Sequence, residues 1–258
     1  MDSEYMAGSR QRGNVVMPEF IIDFPPPRER GMGICWVTKE IPLQYLYSAY
    51  MQGVFPWFNE DKGEPVIWCS PDPRFCLRME DLHIPKRLQR FLKHSPYTYT
   101  MDACFTRVME ECRDMPRAGQ NGSWIGDKMI RAYSAFHDAG FAHSVEAWHD
   151  EELVGGFYGV LIGSVFFGES MFTKESDSAK SAFALFAQIF AWCGGRLIDS
   201  QSYTDNIARY GAKNISRTAF LRLEQEYLKL PLHRNLYFAF ESVGHSKFDA
   251  SEKKLVHS

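Results

Sequence analysis

The sequence predicts a mixed α+β chain, in which a small N-terminal unit precedes a longer unit built on a largely antiparallel sheet. Three observations carry this expectation. The runs "AHSVEAW", "ELVGGFYGVLI" and "SVFFGESMF" follow one another with only short turns between them, at His149 to Glu151 and at Gly163-Ser164, so they should pair as an antiparallel meander. Two helical stretches flank these runs, one ending at Gly140 and the other stopping at Gly194-Gly195, where glycine takes the left-handed conformation that closes a helix. The stiff turn "SPDPR", Ser70 to Arg74, separates an aromatic-rich N-terminal part from the remainder. Strands that run consecutively exclude a doubly wound parallel fold.

Element by element, the polar residues 1–17 and the final stretch from 241 to 258 lack periodicity and are expected to be mobile tails. The segment "FPPPRERGMG", Phe24 to Gly33, should be an extended lead-in. A short helix follows with Pro42 in its first turn, an apolar side of Leu43, Leu46, Tyr47, Tyr50 and Met51, and Gly53 placed to end it. Past the turn come a strand near Phe75 to Arg78, a helix from Pro85, a strand "YTYTM" and a helix through Met109. In "SWIGDKMIRAYSAFHDAG" Ser123 can cap a helix whose apolar side includes Trp124, Ile125, Met129, Tyr133 and Phe136. After the meander a helix from about Ser178 to Cys193 leads into one more strand, "RLIDSQ". Residues 18–73 and 74–240 are the expected domains.

With 258 residues and 45% hydrophobic content the chain can bury an ordinary core. No run approaches the roughly 18 apolar residues that span a bilayer, and the N-terminus lacks the apolar core of a signal peptide, so a cytoplasmic protein without membrane contact is expected. Six cysteines include no CxxC pair, which points to free thiols and to neither a zinc site nor a disulfide framework. A net charge of −3 argues against a protein that coats nucleic acid indiscriminately. Dinucleotide, phosphate-loop, HExxH and GxSxG motifs are all missing.

Four features could carry chemistry. A strand through "LIDSQ" would set Asp199 and Gln201 on one face, although an isolated D-x-Q at a strand end is ordinarily a solvent-facing pair. In "FFGESMF" the same alternation aligns Phe167, Glu169 and Met171, with Gly168 admitting close backbone approach beside the carboxylate; a glutamate among aromatics either pairs with a structural cation or binds an amine. Phe157, Phe166, Phe183, Phe186 and Phe190 are core by default and could equally line a pocket. Lys86, Arg87, Arg90 and Lys93 fall along one helix side, as a solvated face or as phosphate contacts.

Taken in order, "VFPWF", "WCSPDPRF", "SWI", "AHSVEAW", "LVGGFYGV", "FFGESMF", "LIDSQ" and "YGA" resemble the leucyl/phenylalanyl-tRNA–protein transferases, from about Gly31 to Leu230. The resemblance implies a small N-terminal domain followed by a GNAT-like acyltransferase domain. It also implies an enzyme that takes Leu or Phe, less readily Met, from aminoacyl-tRNA. The residue is joined to the N-terminal Arg or Lys of a protein, which marks that protein for degradation, and neither coenzyme A nor a metal is used. By motif, Asp199 and Gln201 look like the catalytic pair and Glu169 like an active-site carboxylate. Phe157, Phe166, Phe186, Phe190 and Ile198 look like the side-chain pocket, and Trp57 and Trp124 match the tryptophans that flank the terminal adenosine. The basic helix side of Lys86, Arg87, Arg90 and Lys93 is then the expected tRNA grip, and a monomer is expected.

The chain departs from the family's usual residues at several positions. Cys69 stands for a second tryptophan, Ser200 for a cysteine, Asn206 for a histidine, Arg209-Tyr210 for Ser-Leu, and Phe157 for a smaller Leu or Met. Two other readings stay open: a coenzyme A-dependent N-acetyltransferase, for which "TKESDSAKSAF" lacks a glycine-rich loop, and a non-catalytic tRNA-binding module.

Overall fold

The fold is taken from a computed structural model that describes residues 21–27, 31–58, 63–116 and 124–244. Near the N-terminus, strands β1 (Ile34–Thr38), β2 (Phe55–Trp57) and β3 (Val66–Cys69) form a small antiparallel sheet in the order β1-β3-β2, and helix α1 (Leu43–Tyr50) lies between β1 and β2 in sequence. Pro42 occupies the N-cap of α1, where its missing N–H costs nothing. Gly53 closes the turn behind it at φ +67°, and a Cβ there would lie 2.4 Å from Leu221 and 3.0 Å from Glu224, so conformation and space both require glycine.

The longer unit contains β4 (Arg74–Arg78), a 3₁₀ turn at Met79–Asp81, α2 (Lys86–Lys93), β5 (Thr98–Met101), α3 (Phe105–Asp114) and α4 (Asp127–Asp138). The meander β6 (Ala142–His149), β7 (Glu152–Ile162) and β8 (Val165–Thr173) follows, then α5 (Ser178–Trp192), β9 (Leu197–Asp199), α6 (Asp205–Ala208), β10 (Lys213–Ile215), α7 (Arg217–Tyr227) and α8 (Leu236–Gly244). Seven strands join in the order β10-β4-β9-β8-β7-β6-β5. Every pair is antiparallel except β8–β9, which runs parallel because α5 carries the chain back across the sheet.

Helices cover both faces, so β7 is buried along nearly its whole length and reads as an almost continuous apolar run. Alternation sorts the side chains: Phe157 and Phe166 join the layer with α2, α5 and α8, while Tyr158 and Phe167 join the layer with α1, α3 and α4. That second layer also takes in Trp68 and Phe55, so the small sheet shares its core with the large one. No helix among the described residues is long and apolar enough to cross a membrane.

Three expectations need correction. Helix α4 begins at Asp127 and not at Ser123, which lies outside the described residues; Gly126 is extended at its N-cap (φ −101°, ψ 179°), so Trp124 and Ile125 precede the helix and are not on its apolar side. Strand β9 stops at Asp199, and Gln201 has turned to φ +54°. Residues 241–244 form the last turn of α8 and so do not belong to a tail; residues 1–17 and 245–258 lie outside the described residues.

Candidate active site

The parallel pairing of β8 with β9 ends at Phe167 opposite Asp199. Beyond that point the two strands part, and a cleft of about 320 Å³ opens between them. Register shifts at the same place: Gly159 faces Gly168 while Tyr158 faces Ser170, which leaves Glu169 as the extra residue of a β-bulge. The bulge reverses the alternation expected for this strand. Phe167 and Phe172 share one layer and Met171 packs on the other, so Met171 leaves the face that simple alternation gives it, while Glu169 reaches the Tyr50 and Tyr133 hydroxyls in the layer of Phe167. Gly168 is not demanded by crowding, since a Cβ there would come no closer than 3.6 Å to another atom.

At the bulge, the half-buried Glu169 is the hub of a hydrogen-bond group. Its Oε1 accepts from the Tyr50 hydroxyl at 2.7 Å and from Gln201 Nε2 at 2.9 Å, and its Oε2 accepts from the Tyr133 hydroxyl at 3.4 Å. The two hydroxyls also lie within hydrogen-bond distance of each other, and since each carries one proton, a bond from Tyr133 to Tyr50 is the alternative to its longer bond to Glu169. Burial pushes the Glu169 carboxyl up to about 7, while the tyrosine bonds hold it down. Both phenols are pushed well above their ordinary value by burial and by the neighbouring carboxylate.

Because a carboxylate only accepts, the amide of Gln201 must turn its NH₂ toward Glu169. Its carbonyl oxygen is then the end not committed to Glu169. Asp199 is placed differently. It belongs to the cleft wall, yet its side chain is fully buried and forked onto Arg74, with Nε at 2.9 Å and Nη2 at 2.6 Å. Its Oδ1 also accepts from the backbone N–H of Gln201 at 3.0 Å.

The apolar end of the cleft is lined by Phe157, Phe166, Phe183 and Ile198, with Trp57, Trp124 and Phe55 also in its wall. Phe186 and Phe190 do not line it; they stand behind as fully buried support, with Phe186 4.6 Å from the Phe166 ring and 5.4 Å from the Phe157 ring. Trp57 remains 42% exposed, which leaves its ring open to stacking. Ser200 and Asn206 lie on the polar wall, and the Asn206 amide contacts Met171 Sδ at 3.7 Å.

Lys86, Arg87, Arg90 and Lys93 are all exposed on α2 and none lines the cleft. Arg87 is paired with Asp177 at 2.7 Å, whereas Lys86, Arg90 and Lys93 have no carboxylate partner among the described residues. Sequence reasoning missed Arg74, Tyr50 and Tyr133, having read the first as the end of a turn and the tyrosines as apolar helix faces. An arginine opening the apolar strand "RFCL" was the available signal for Arg74, since such a side chain must find a carboxylate once buried.

Comparison with known proteins identifies the family. The family profile described as leucyl/phenylalanyl-tRNA protein transferase matches residues 76–225, and the profile for that family's N-terminal domain matches residues 40–72. The chain is 44% identical to the leucyl/phenylalanyl-tRNA–protein transferase of Myxococcus xanthus over 82% of its length and 90% of the relative's. It is 47% identical to that of Hahella chejuensis over 74% of its length and 80% of the relative's. With the transferase of Laribacter hongkongensis the identity is 43%, over 76% of this chain and 84% of the other. The chain therefore belongs to the leucyl/phenylalanyl-tRNA–protein transferase family of enzymes.

Proposed function

We propose that this protein moves Leu or Phe, and less readily Met, from aminoacyl-tRNA to the N-terminal Arg or Lys of acceptor proteins, and that the product is marked for degradation. The observation that carries this reading is the meeting, in one cleft, of an apolar aromatic pocket with a Gln201 amide whose orientation is fixed by Glu169.

In this reaction the acceptor nitrogen attacks the ester carbonyl carbon, the new C–N bond forms, and the ester C–O bond breaks. The amine loses one proton and the departing tRNA hydroxyl gains one, so the step balances without an added reagent. An aminoacyl ester is already activated, and an N-terminal amine with a pKa of about 8 keeps a useful neutral fraction at neutral pH. Positioning can therefore supply most of the rate, because effective molarities of about 10⁵ to 10⁸ M are available from alignment alone. Gln201 accepts the amine N–H and aligns its lone pair, and Glu169, poised at about 7, places negative charge one hydrogen bond away as the nitrogen becomes cationic.

Phe157, Phe166 and Ile198 favour side chains unbranched at Cβ, since one misplaced methyl in such a pocket costs roughly 1 to 3 kcal/mol. Trp57 and Trp124 hold the terminal adenosine, and the basic side of α2 grips the tRNA backbone without sequence readout. Residues 18–73 and the unit from residue 74, which takes in α8 through Gly244, act as two domains of a cytoplasmic monomer. A coenzyme A-dependent acetyltransferase is disfavoured by the segment that opens α5, "TKESDSAKSAF", which has no glycine-rich loop to cradle a pyrophosphate.

The test incubates the protein with tRNA charged with labelled leucine and a peptide beginning with Arg, beside a parallel arm holding labelled acetyl-coenzyme A. Labelled peptide is expected in the first arm alone. Label from acetyl-coenzyme A would support the acetyltransferase, and tRNA binding without product would support the binding module.

A further inference from the structure

From these contacts we infer that Arg74 is a positioning residue for the transfer reaction, and that Asp199 acts with it to set the backbone of Gln201 and does not contact the attacking amine. The inference rests on the transfer reading above and goes beyond it by moving Asp199 out of direct contact and adding a residue from the opposite side of the site.

Arg74 is 1% exposed and Asp199 is not exposed at all, and the guanidinium forks onto the carboxylate through two nitrogens. The charge of Asp199 is thus neutralised within its own pair. What reaches the cleft through Asp199 is a shape. Its Oδ1 holds the N–H of Gln201, and on the other side of that residue the Gln201 carbonyl accepts from the N–H of Phe75 at 3.1 Å. Ser200 N–H also reaches the Phe75 carbonyl at 3.0 Å. Gln201 is a non-glycine residue at φ +54°, a conformation that persists only where the surroundings over-determine it. Arg74 and its neighbour Phe75 supply that determination.

The third arm of the guanidinium ties in the other half of the site. Nη1 donates to the Gly53 carbonyl at 3.0 Å, in the turn that ends α1, and α1 carries the Tyr50 that donates to Glu169. Phe220 and Phe55 lie at 4.3 Å and 5.1 Å from the guanidinium carbon and confine it. One side chain therefore links the segment that places Gln201 to the segment that places Glu169. A fully buried ion pair is weak evidence for stability, because desolvation offsets most of its attraction; fixing a geometry is the role that these contacts describe.

The experiment compares single-turnover transfer and the KM for leucyl-tRNA in wild type, Arg74→Lys, Gln201→Ala and the double variant. Lysine keeps the charge and loses the fork, so Arg74→Lys is expected to lower the rate about 10²-fold with KM changed less than about threefold. In the Gln201→Ala background the same substitution is expected to cost less than about twofold, because its effect runs through Gln201. A full further loss in that background, or an Arg74→Lys enzyme within about twofold of wild type, would overturn the inference. If Arg74→Lys does not fold, Arg74→Gln with Asp199→Asn supplies a neutral pair that can still hold the Gln201 N–H. Transfer at least about tenfold above Asp199→Asn alone supports the inference, and transfer no better than that single variant overturns it. Absence of product with wild type would instead remove the transfer reading, and this inference with it.

Discussion

Gln201 Nε2 lies 2.9 Å from Glu169 Oε1, and this one bond decides which end of the Gln201 amide is left for a ligand. A glutamine in place of Glu169 could accept or donate at that point, so Gln201 would no longer be held one way round. Glu169→Gln should therefore lower kcat by on the order of 10² while leaving the KM for charged tRNA nearly unchanged. Steady-state kinetics with leucyl-tRNA and an Arg-peptide check this, and a kcat within a few fold of wild type would count against it.

The pH dependence follows from the same carboxyl. Glu169 is raised to about 7, so it is protonated at lower pH and ionises as pH rises through that value, and transfer should rise across the same window. The acceptor amine adds a second rise near its own pKa of about 8. The Tyr133 hydrogen bond holds the carboxyl down, so Tyr133→Phe should move the lower midpoint upward. A pH-rate profile of the two proteins checks the direction, and an unmoved midpoint would detach Tyr133 from the site.

Glu224 offers a stability test beside the Arg74–Asp199 pair. It is fully buried on α7 beside the Gly53 backbone N–H and the Arg74 guanidinium, and burial raises its pKa well above the ordinary value against the pull of both. A raised carboxyl keeps its proton in the native state while the unfolded chain releases it above about pH 4.5, so stability falls as pH rises from there, by up to about 1.4 kcal/mol per unit. Glu224→Gln should unfold at nearly the same temperature as wild type at pH 5 and at a higher temperature at pH 8. Thermal melts at both pH values decide it.

Phe157 sets the depth of the apolar pocket, meeting Phe166, Phe183 and Phe186 edge to face at 6.1, 5.7 and 5.4 Å. Phe157→Leu removes ring volume and should shift the Phe-to-Leu transfer ratio toward Phe by about tenfold. Competition between the two charged tRNAs reads the ratio directly.

The grip on tRNA should be electrostatic. Arg90 and Lys93 are exposed and have no carboxylate partner among the described residues, unlike Arg87. Replacing both by Ala should lower the slope of log affinity against log salt by roughly 1 to 2. An unchanged slope would place the footprint on another face.

Much of the fold was legible because it rests on local pattern: the meander, its short turns and the glycine stops of α4 and α5 follow from residues close in sequence. The site was legible as a list of residues and not as a geometry. Asp199 and Gln201 read as neighbours on one strand face, yet β9 ends between them and they separate into a buried ion-pair partner and a cleft residue. Glu169 and Met171 read as one alternating set, but the bulge at Glu169 turns Met171 to the other layer, and a bulge leaves no mark in a period-two pattern. Arg74, Tyr50 and Tyr133 escaped because their partners lie 125, 119 and 36 residues away in sequence, a pairing that only the closed sheet creates. Phe186 and Phe190 were placed one layer too close to the ligand, since period alone cannot tell a pocket wall from its backing.

The most direct test of the account is the single-turnover rate of leucine transfer from charged tRNA to an Arg-initiated peptide by Gln201→Ala, measured beside its affinity for the same tRNA. The account predicts a rate lower by at least about 10²-fold at unchanged tRNA affinity. A rate within about twofold of wild type would contradict it, because the account assigns the alignment of the amine to the Gln201 carbonyl.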